Sequence, residues 1–367
     1  MDFRFRGNDI LVICNSWLKN IRIALLTFKR KIIHMSRTIR WGIIGCGNVT
    51  EKKSGPGFQK ATNSELIAVM RRTPGKAEDY ARRHDVPKWY DDADKLINDP
   101  DVDVVYIATP PETHKEYTLR VAAAGKPVYV EKPMARSYEE CQDMIGACKK
   151  KGIPLFVAYY RRSLPKFLKV KEILDSDIIG KPQSVSVILT QMPQADQYSS
   201  DPLPWRIIPE KSGGGYFFDL ASHTFDLLDY YFGPVTSVHG IANNHMNWYP
   251  AEDNVSATFL FQNAVTGAGL WCFTTTIEED RIEIFGENGT ISFSTFSRTP
   301  ITIQTNGNKD TINIEPPTHI QQPHIQSVVD ELVGGGICPS TGDTAARTSW
   351  VMDQIIKDWR SVKGIKF

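Results

Sequence analysis

The sequence predicts two domains: a doubly wound parallel α/β sheet with helices on both faces, followed by an α+β domain with a mostly antiparallel open sheet. Apolar strands alternate with amphipathic helices up to residue 160, which is typical of a parallel sheet. Beyond that point strands follow one another without long helices between them, which favours antiparallel pairing. A chain of 367 residues with 41% apolar content is large enough for two hydrophobic cores.

The first domain is predicted over residues 36–160. It begins with an apolar strand that runs into a glycine turn, Ile44-Gly45-Cys46-Gly47, and then into a helix. The segments that follow alternate in the same way, which indicates a sheet of about six strands. The predicted strands cover 39–44, 66–70, 103–108, 128–130 and 154–159, and the predicted helices cover 75–84, 112–124 and 138–151.

The second domain is predicted over residues 161–367. Asn288-Gly289 is a strong signal for a tight hairpin, and Gln262-Asn263 separates two alternating runs. Two helices, 166–175 and 216–232, are expected to pack on one face of the sheet, and a helix over 344–359 closes the domain. The predicted strands cover 183–191, 235–242, 255–261, 267–275, 281–285, 290–294, 301–305 and 311–314.

Composition favours a small-molecule substrate. The formal net charge of +1 gives no electrostatic case for binding nucleic acid or an acidic membrane surface. The six cysteines show no C-x-x-C spacing, so we expect neither structural zinc nor a disulfide framework. We therefore expect a cytoplasmic protein that binds no nucleic acid and no membrane.

Residues 1–35 are predicted to be an extension outside both cores. They are basic, and their apolar run 10–14 is too short to span a membrane. No small-residue cleavage site follows a clean apolar core, so a secretory signal is not expected. We interpret the segment as a disordered extension or an over-extended reading frame with Met35 as the natural start; an amphipathic surface anchor is the alternative.

The glycine turn is the pattern of a dinucleotide site. Gly45 allows a sharp turn, Gly47 lets backbone N–H groups approach a pyrophosphate, and the following helix directs its positive end at that anion. Thr50 departs from the pattern, because a Gly or Ala at this position would allow the closest contact between helix and strand. The predicted cofactor-binding residues of the turn are Gly45, Cys46, Gly47, Asn48 and Val49.

Other candidates follow the carboxyl ends of further strands, where a parallel sheet binds its ligands. The second strand ends in Met70-Arg71-Arg72-Thr73, with no carboxylate to accept from an unphosphorylated ribose, and arginine there favours a 2′-phosphate. We therefore predict NADP as the preferred cofactor and NAD as the alternative. The cofactor-binding candidates at these strand ends are Arg71, Arg72, Thr109, Pro110, Glu131 and Lys132.

Two distant segments carry the candidate catalytic residues. Lys132 stands where it could exchange a proton with a substrate hydroxyl, and a solvated strand end is the equal alternative. Asp219 and His223 are four residues apart on one helix face, so the carboxylate could orient the imidazole as a general base. Helix patterning alone favours a simpler interpretation, the exposed face of an amphipathic helix. No third ligand accompanies the pair, so no metal site is predicted.

Together these motifs resemble the Gfo/Idh/MocA family, the glucose-fructose oxidoreductase, inositol dehydrogenase and rhizopine-catabolism proteins, over nearly everything after Met35. The resemblance implies a Rossmann-type first domain and catalytic roles for Lys132, Asp219 and His223. It also implies a substrate pocket at Tyr160, Arg161, Trp205 and Arg206, the last two of which could equally form a structural stacking pair. The motifs are Gly45-x-Gly47-Asn48, Thr109-Pro110-Pro111-x-x-His114, Glu131-Lys132-Pro133, Tyr160-Arg161-Arg162 and the 212–223 run that ends in Asp-x-x-x-His; His114 joins the cofactor-binding residues through the second of them.

The activity that this resemblance implies is hydride transfer between a nicotinamide cofactor and a secondary alcohol of a sugar, polyol or related diol. Some members of the family instead hydrolyse glycosides through transient oxidation, and a few are non-catalytic regulators. Retention of Lys132, Asp219 and His223 argues against a regulator, whereas the sequence leaves the hydrolase open. The resemblance further implies a homodimer or homotetramer that associates through the second sheet.

Overall fold

Two sheets organise the chain, as seen in a computed structural model that describes residues 37–193 and 196–367. The predicted extension over residues 1–35 lies outside the described residues, as does residue 36. The first sheet has six parallel strands in the order β3-β2-β1-β4-β5-β6, which confirms the doubly wound prediction. Its strands are β1 (Ile39–Ile44), β2 (Ser64–Met70), β3 (Lys88–Tyr90), β4 (Val104–Ile107), β5 (Val128–Val130) and β6 (Leu155–Val157).

Helices cover both faces of this sheet, because successive side chains of the buried strands point to opposite sides. The helices of the first domain are α1 (Gly55–Lys60), α2 (Pro74–Arg83), α3 (Ala93–Ile97), α4 (His114–Ala123) and α5 (Tyr138–Lys151). Trp41 and Ile43 face the layer that contains Phe58 of α1 and Tyr80 of α2. Ile44 faces the opposite layer, formed by α3, α4 and α5.

The second sheet has eight strands in the order β14-β13-β12-β11-β7-β10-β9-β8. Among the described strands of this second sheet only β7 and β10 pair in parallel, so the prediction of a mostly antiparallel sheet is confirmed. The strands are β7 (Pro182–Thr190), β8 (Val235–Asn243), β9 (Asn254–Phe261), β10 (Thr266–Cys272), β11 (Glu279–Gly286), β12 (Gly289–Phe293), β13 (Ile301–Thr305) and β14 (Asn308–Ile312). The helices after residue 160 are α6 (Pro165–Asp175), α7 (Asp196–Ser199), α8 (Pro209–Ser212), α9 (Tyr216–Phe232), α10 (Gln322–Leu332) and α11 (Gly342–Lys363).

The last two helices do not belong to the second domain alone. Ile325, Val328 and Val329 of α10 lie in the same core cluster as Trp41 of the first sheet. Helix α11 begins at a capping box formed by Thr341 and Thr344, and it buries Ala345 and Ala346 in the first domain. Further along, α11 buries Val351, Met352, Ile355 and Ile356 in the core of the second domain. One 22-residue helix therefore joins the two cores.

Among the described elements, β3, α3, α7, α8 and α10 were not predicted, and one turn is shifted. The first four of these have only three to five residues, too few to show a period, and α10 carries no strong start signal. The predicted Asn288-Gly289 hairpin forms, but its two central residues are Glu287 and Asn288, since Phe285 pairs with Thr290. Gly289 instead opens the next strand, where an added Cβ would lie 2.4 Å from the carbonyl oxygen of Gln304.

Candidate active site

A cleft of about 630 Å³ lies at the carboxyl ends of the first sheet and continues to helix α9 of the second domain. Ligands of doubly wound sheets bind at this edge. Every residue that the sequence analysis proposed for the site lines this cleft, except His114. The topology therefore brings together motifs that are up to 178 residues apart, from Gly45 to His223.

The glycine turn has the shape that a dinucleotide requires. Gly45 has φ +92°, and an added Cβ would lie 2.8 Å from Cγ2 of Thr109, so glycine is needed there. An added Cβ at Gly47 would meet only the Gly45 oxygen, at 3.8 Å, which leaves open space above the turn. The chain becomes helical at Asn48, and the first N–H groups of a helix have no partner within it. These residues fit a pyrophosphate.

Thr50, which stands where the glycine pattern has Gly or Ala, hydrogen-bonds to the glycine turn. Its side chain is fully buried, and its hydroxyl accepts from the N–H of Gly47 at 2.9 Å and donates to the Gly47 carbonyl at 2.8 Å. The carbonyl oxygen of Thr50 accepts from the hydroxyl of Tyr80. The side chain of Thr50 thus stabilises the glycine turn by hydrogen bonds, whereas a Gly or Ala there would instead allow a closer contact between helix and strand.

Arg71 and Arg72 line the cleft where strand β2 ends. Arg71 donates from Nη1 to the carbonyl oxygen of Cys46 at 3.2 Å, so its side chain lies across the glycine turn. Arg72 is exposed. The two carboxylates that line the cleft, Glu131 and Asp219, both accept hydrogen bonds from Lys132, and neither pairs with these arginines in the described structure.

His114 contradicts the expectation that it contacts the cofactor. It is fully buried and does not line the cleft. Its Nε2 lies 2.7 Å from the carbonyl oxygen of Thr109, and its Nδ1 lies 3.2 Å from the carbonyl oxygens of Pro133 and Met134. The ring therefore connects the loop after β4 to the loop after β5 from behind, and it supports the cleft wall indirectly.

Glu131 lines the cleft, but its carboxylate is already engaged. Oε1 accepts from the hydroxyl of Tyr106 at 2.5 Å and from Nε2 of Gln321 at 3.0 Å. Oε2 accepts from the backbone N–H of Lys132 at 3.1 Å. Glu131 thus orients the strand end that carries Lys132.

Lys132 pairs with Asp219 across the two domains. Nζ of Lys132 donates to Oδ1 of Asp219 at 2.6 Å and to its carbonyl oxygen at 3.2 Å, while Oδ2 accepts from Nε of Arg206 at 3.2 Å. Burial would raise the pKa of Asp219, but the positive charges of Lys132 and Arg206 hold that pKa below its usual value. Asp219 is therefore a carboxylate that holds two cations.

His223 is not held by Asp219, contrary to the predicted carboxylate–imidazole pair. Nη1 of Arg161 lies 3.2 Å from its Nε2, and a guanidinium can only donate. Nε2 is therefore the acceptor, and the proton lies on Nδ1, a buried atom without a hydrogen-bond partner in the described part of the chain. Burial and then the charges of Arg161, Lys132 and Lys53 lower the pKa of His223 well below 6.5. The exposed-face alternative is also wrong, because His223 is buried.

The four predicted pocket residues line the cleft beside Asp219 and His223. Arg161 is buried, with its guanidinium 5.0 Å from the ring of Tyr160 and 4.6 Å from that of Phe296. Arg206 stacks on Trp205 at 4.5 Å, so this pair both stacks and lines the cleft. Arg161 also donates to the carbonyl oxygen of Thr295, which fixes the loop that carries Phe296.

Sequence reasoning missed several lining residues. Lys53 follows the glycine turn by little more than one helical turn, a spacing that could have flagged it. No sequence motif around Tyr117, Phe296 or Gln321 indicated that these residues line the cleft. Oε1 of Gln321 is buried without a hydrogen-bond partner among the described residues, which leaves one acceptor for a ligand in the cleft. In residues 37–193 and 196–367, no cluster of three His, Cys, Asp or Glu side chains is placed to hold a metal ion.

The fold and the cleft define a two-domain oxidoreductase: a dinucleotide-binding sheet supplies a lysine, and a second domain closes over it with an aspartate and a histidine. The family described as "Oxidoreductase family, NAD-binding Rossmann fold" matches residues 39–159, and the GFO/IDH/MocA C-terminal domain matches residues 167–292. The chain belongs to the Gfo/Idh/MocA family. It is an oxidoreductase that uses a nicotinamide cofactor.

Individual relatives agree with this assignment. Oxidoreductase P35 of Formosa agariphila is 41% identical over 321 residues, which covers 87% of this chain and 98% of that protein. The scyllo-inositol 2-dehydrogenase (NAD(+)) of Bacillus subtilis is 30% identical over 275 residues, covering 73% and 78%. A solved levoglucosan dehydrogenase in complex with NADH has a TM-score of 0.80 at 22% identity, covering 89% and 98%, which supports the fold.

Proposed function

We propose that the protein is an NAD(P)-dependent dehydrogenase or reductase acting on a secondary alcohol or carbonyl group of a sugar, polyol or related diol. The observation that carries the proposal is the Lys132–Asp219 pair in the same cleft as the glycine turn. The relatives described above are named for inositol and levoglucosan, which supports this substrate class.

In this proposal the residues of the cleft have different roles in the reaction. A bound nicotinamide ring supplies or accepts the hydride. Nζ of Lys132 has three donor positions, two of which Asp219 occupies, and the third is left to donate to the substrate oxygen. In reduction Nζ gives its proton to that oxygen, and in oxidation it takes the proton back. His223 is neutral and offers its Nε2 lone pair to a substrate hydroxyl, which must share or displace the Arg161 contact. This assignment replaces the general-base role expected for His223.

A panel of sugars and polyols tests the proposal through the absorbance of reduced nicotinamide. Turnover with at least one member is expected, and Lys132→Ala should reduce it about a hundredfold to ten-thousandfold. Cleavage of an aryl glycoside without net cofactor turnover would instead identify a redox-assisted hydrolase. Binding of sugars with neither activity would identify a regulator.

For the cofactor we propose a preference for NADP. It is supported by Arg71 and Arg72 at the end of β2, with no carboxylate of the cleft beside them. A hydrogen bond between charged groups contributes about 1.5–3 kcal/mol, so kcat/KM should favour NADP about tenfold to a hundredfold. Replacing both arginines by alanine should remove the preference, and Lys76→Ala, an exposed change on α2, is the control. Equal efficiency with NAD in the unaltered protein would contradict the proposal.

We also propose that two copies associate through the outer face of the second sheet, as a homodimer or within a homotetramer. Ile241, Ser256, Leu270 and Ile188 are neighbours across four strands on that face, and Ile241 and Leu270 are 76% and 41% exposed. Leu270→Asp should give a monomer mass by light scattering, whereas Val362→Asp, an exposed change on α11, should not. A monomer mass for the unaltered protein would refute the proposal.

We propose a cytoplasmic location. The five cysteines in the described residues are free thiols, which suits a reducing compartment. No helix within 37–193 and 196–367 combines the length and the apolar character needed to cross a bilayer. Fractionation of the native host should recover the protein with cytoplasmic markers; recovery with periplasmic or membrane markers would contradict the proposal.

A further inference from the structure

Positive charge dominates the end of the cleft that surrounds His223. Four cationic side chains line it, against the carboxylates of Asp219 and Glu131; the cations are Lys53, Lys132, Arg161 and Arg206. The carboxylate of Glu131 is buried under its three donors, and that of Asp219 is shared by two of the cations. The cations therefore outnumber the carboxylates that face them.

Two of the four cations are committed to the protein. Lys132 is held by Asp219. Arg161 is buried and uses Nε on the carbonyl oxygen of Thr295 and Nη1 on Tyr160 and His223, and its Nη2 makes no hydrogen bond in the described structure. The charge of Lys132 is therefore neutralised by Asp219, whereas Arg161 is held in place by neutral groups and has no carboxylate partner among the described residues.

Arg206 and Lys53 retain free donors. Arg206 uses only Nε on Asp219, and its stacking on Trp205 leaves both terminal nitrogens without hydrogen bonds in the described structure. Its side chain is 49% exposed at the mouth of the cleft. Lys53 is exposed, and its ammonium makes neither a hydrogen bond nor an ion pair with any residue in 37–193 or 196–367.

The position of Lys53 depends on a local irregularity of the helix. Residues Thr50–Ser54 form a π-helical turn, closed by the N–H of Gly55 donating to the carbonyl oxygen of Thr50. An added Cβ at Gly55 would lie 2.2 Å from that oxygen, so the turn requires glycine. Lys53 faces the cleft and the neighbouring Lys52 does not. Turns of this kind are frequent at functional sites.

We propose that the substrate is a sugar or polyol bearing an oxyanionic group, such as a carboxylate, which Lys53 and Arg206 bind. The inference rests on the dehydrogenase function proposed above. The guanidinium fork of Arg206 matches a carboxylate or phosphate, and Lys53 adds a point charge. The charge of Lys53 also contributes to the lowered pKa of His223, so Lys53 acts near the reacting end of the cleft.

Matched pairs of ligands test the inference. D-Galacturonate is compared with its methyl ester, D-glucuronate with D-glucose, and D-glucose 6-phosphate with D-glucose; the third pair distinguishes phosphate from carboxylate. Initial rates give kcat/KM, and calorimetry on the cofactor-free protein, which holds no hydride acceptor or donor, gives affinity without turnover. We expect a preference of about tenfold to a hundredfold for a charged member, decreasing as salt rises.

Variants assign the preference to residues. Lys53→Met and Arg206→Met should each reduce the ratio of charged to neutral ligand about tenfold. The ratio, unlike the rate, is insensitive to any general loss that Arg206→Met causes through Asp219. Lys52→Met removes an adjacent, exposed lysine outside the cleft and should leave the ratio unchanged.

The outcomes separate the two proposals. Equal binding of charged and neutral ligands alongside turnover of neutral sugars overturns the oxyanion site and leaves the dehydrogenase function standing. Charged ligands that bind through Lys53 but are never oxidised or reduced overturn the dehydrogenase function and support the site. Failure of every ligand to bind or react refutes both.

Discussion

Replacing Asp219 by asparagine removes the negative charge that two cations share while keeping the size of the side chain. Oδ1 accepts from Lys132 at 2.6 Å and Oδ2 from Arg206 at 3.2 Å, and the Lys132 and Asp219 side chains are only 15% and 12% exposed. A hydrogen bond between charged groups contributes about 1.5–3 kcal/mol. Asp219→Asn should therefore lower kcat/KM about tenfold to a hundredfold, because the ammonium is no longer held against the substrate oxygen.

A double-mutant cycle shows which partner Asp219 serves. Because Asp219 and Lys132 act as one unit, Asp219→Asn should add little to the loss caused by Lys132→Ala. The losses from Asp219→Asn and His223→Ala should instead multiply, since these two side chains share no hydrogen bond in the described structure. Melting temperature and cofactor titration check that each variant remains folded. A large coupling to His223 with none to Lys132 would refute this assignment and restore the pairing expected from sequence.

Three further changes probe the support of the site. Burial raises the pKa of Glu252 from 4.5 to about 7 while one oxygen accepts from the N–H of Gly215. The stability that the protonated carboxyl contributes is therefore fully present below about pH 4.5 and is lost as pH rises through 7. Between pH 5 and 8 the free energy of unfolding in urea should change less in Glu252→Gln than in the unaltered protein, by about 3 kcal/mol. The same pH profile in both proteins would contradict this. Thr50→Val leaves the Gly47 N–H unpaired and should lower the free energy of unfolding by about 1–3 kcal/mol and weaken dinucleotide binding, whereas Thr50→Ser should not. Phe296→Leu should raise the KM of the sugar about twofold to tenfold without changing cofactor affinity, and an equal change in both would indicate a general loss of structure.

Most of the cleft could be predicted because topology dictates it. In a parallel sheet the carboxyl ends of all strands meet at one edge, so Gly45, Arg71, Thr109 and Lys132 had to converge wherever their strands were recognised. The i,i+4 spacing likewise placed Asp219 and His223 on one helix face. These inferences need only the period of each element and the order of the strands.

Partner choice inside the cleft could not be predicted in this way. An aspartate one turn from a histidine suggests a pair, but the tertiary fold brings two full positive charges to Asp219, and a carboxylate prefers these to a neutral ring. His114 was misplaced for a similar reason, since its motif fixes its position in the chain and not the carbonyl groups that surround it. The π-helical turn that exposes Lys53 depends on Gly55 and Tyr80. The regular spacing of apolar residues in a helix does not reveal such a turn, so that spacing could not assign Lys53 to the cleft.

The Lys132–Asp219 pair also makes the site depend on how the two domains are held. Lys132 follows a strand of the first sheet and Asp219 lies on a helix of the second domain, so a small displacement between domains would separate atoms that are 2.6 Å apart. Helix α11 opposes such a displacement, because its first turns are buried in one core and its later turns in the other. The ammonium of Lys132, which we propose transfers the proton, is thereby oriented before substrate arrives, and in this proposal the substrate oxygen meets a donor that requires no rearrangement.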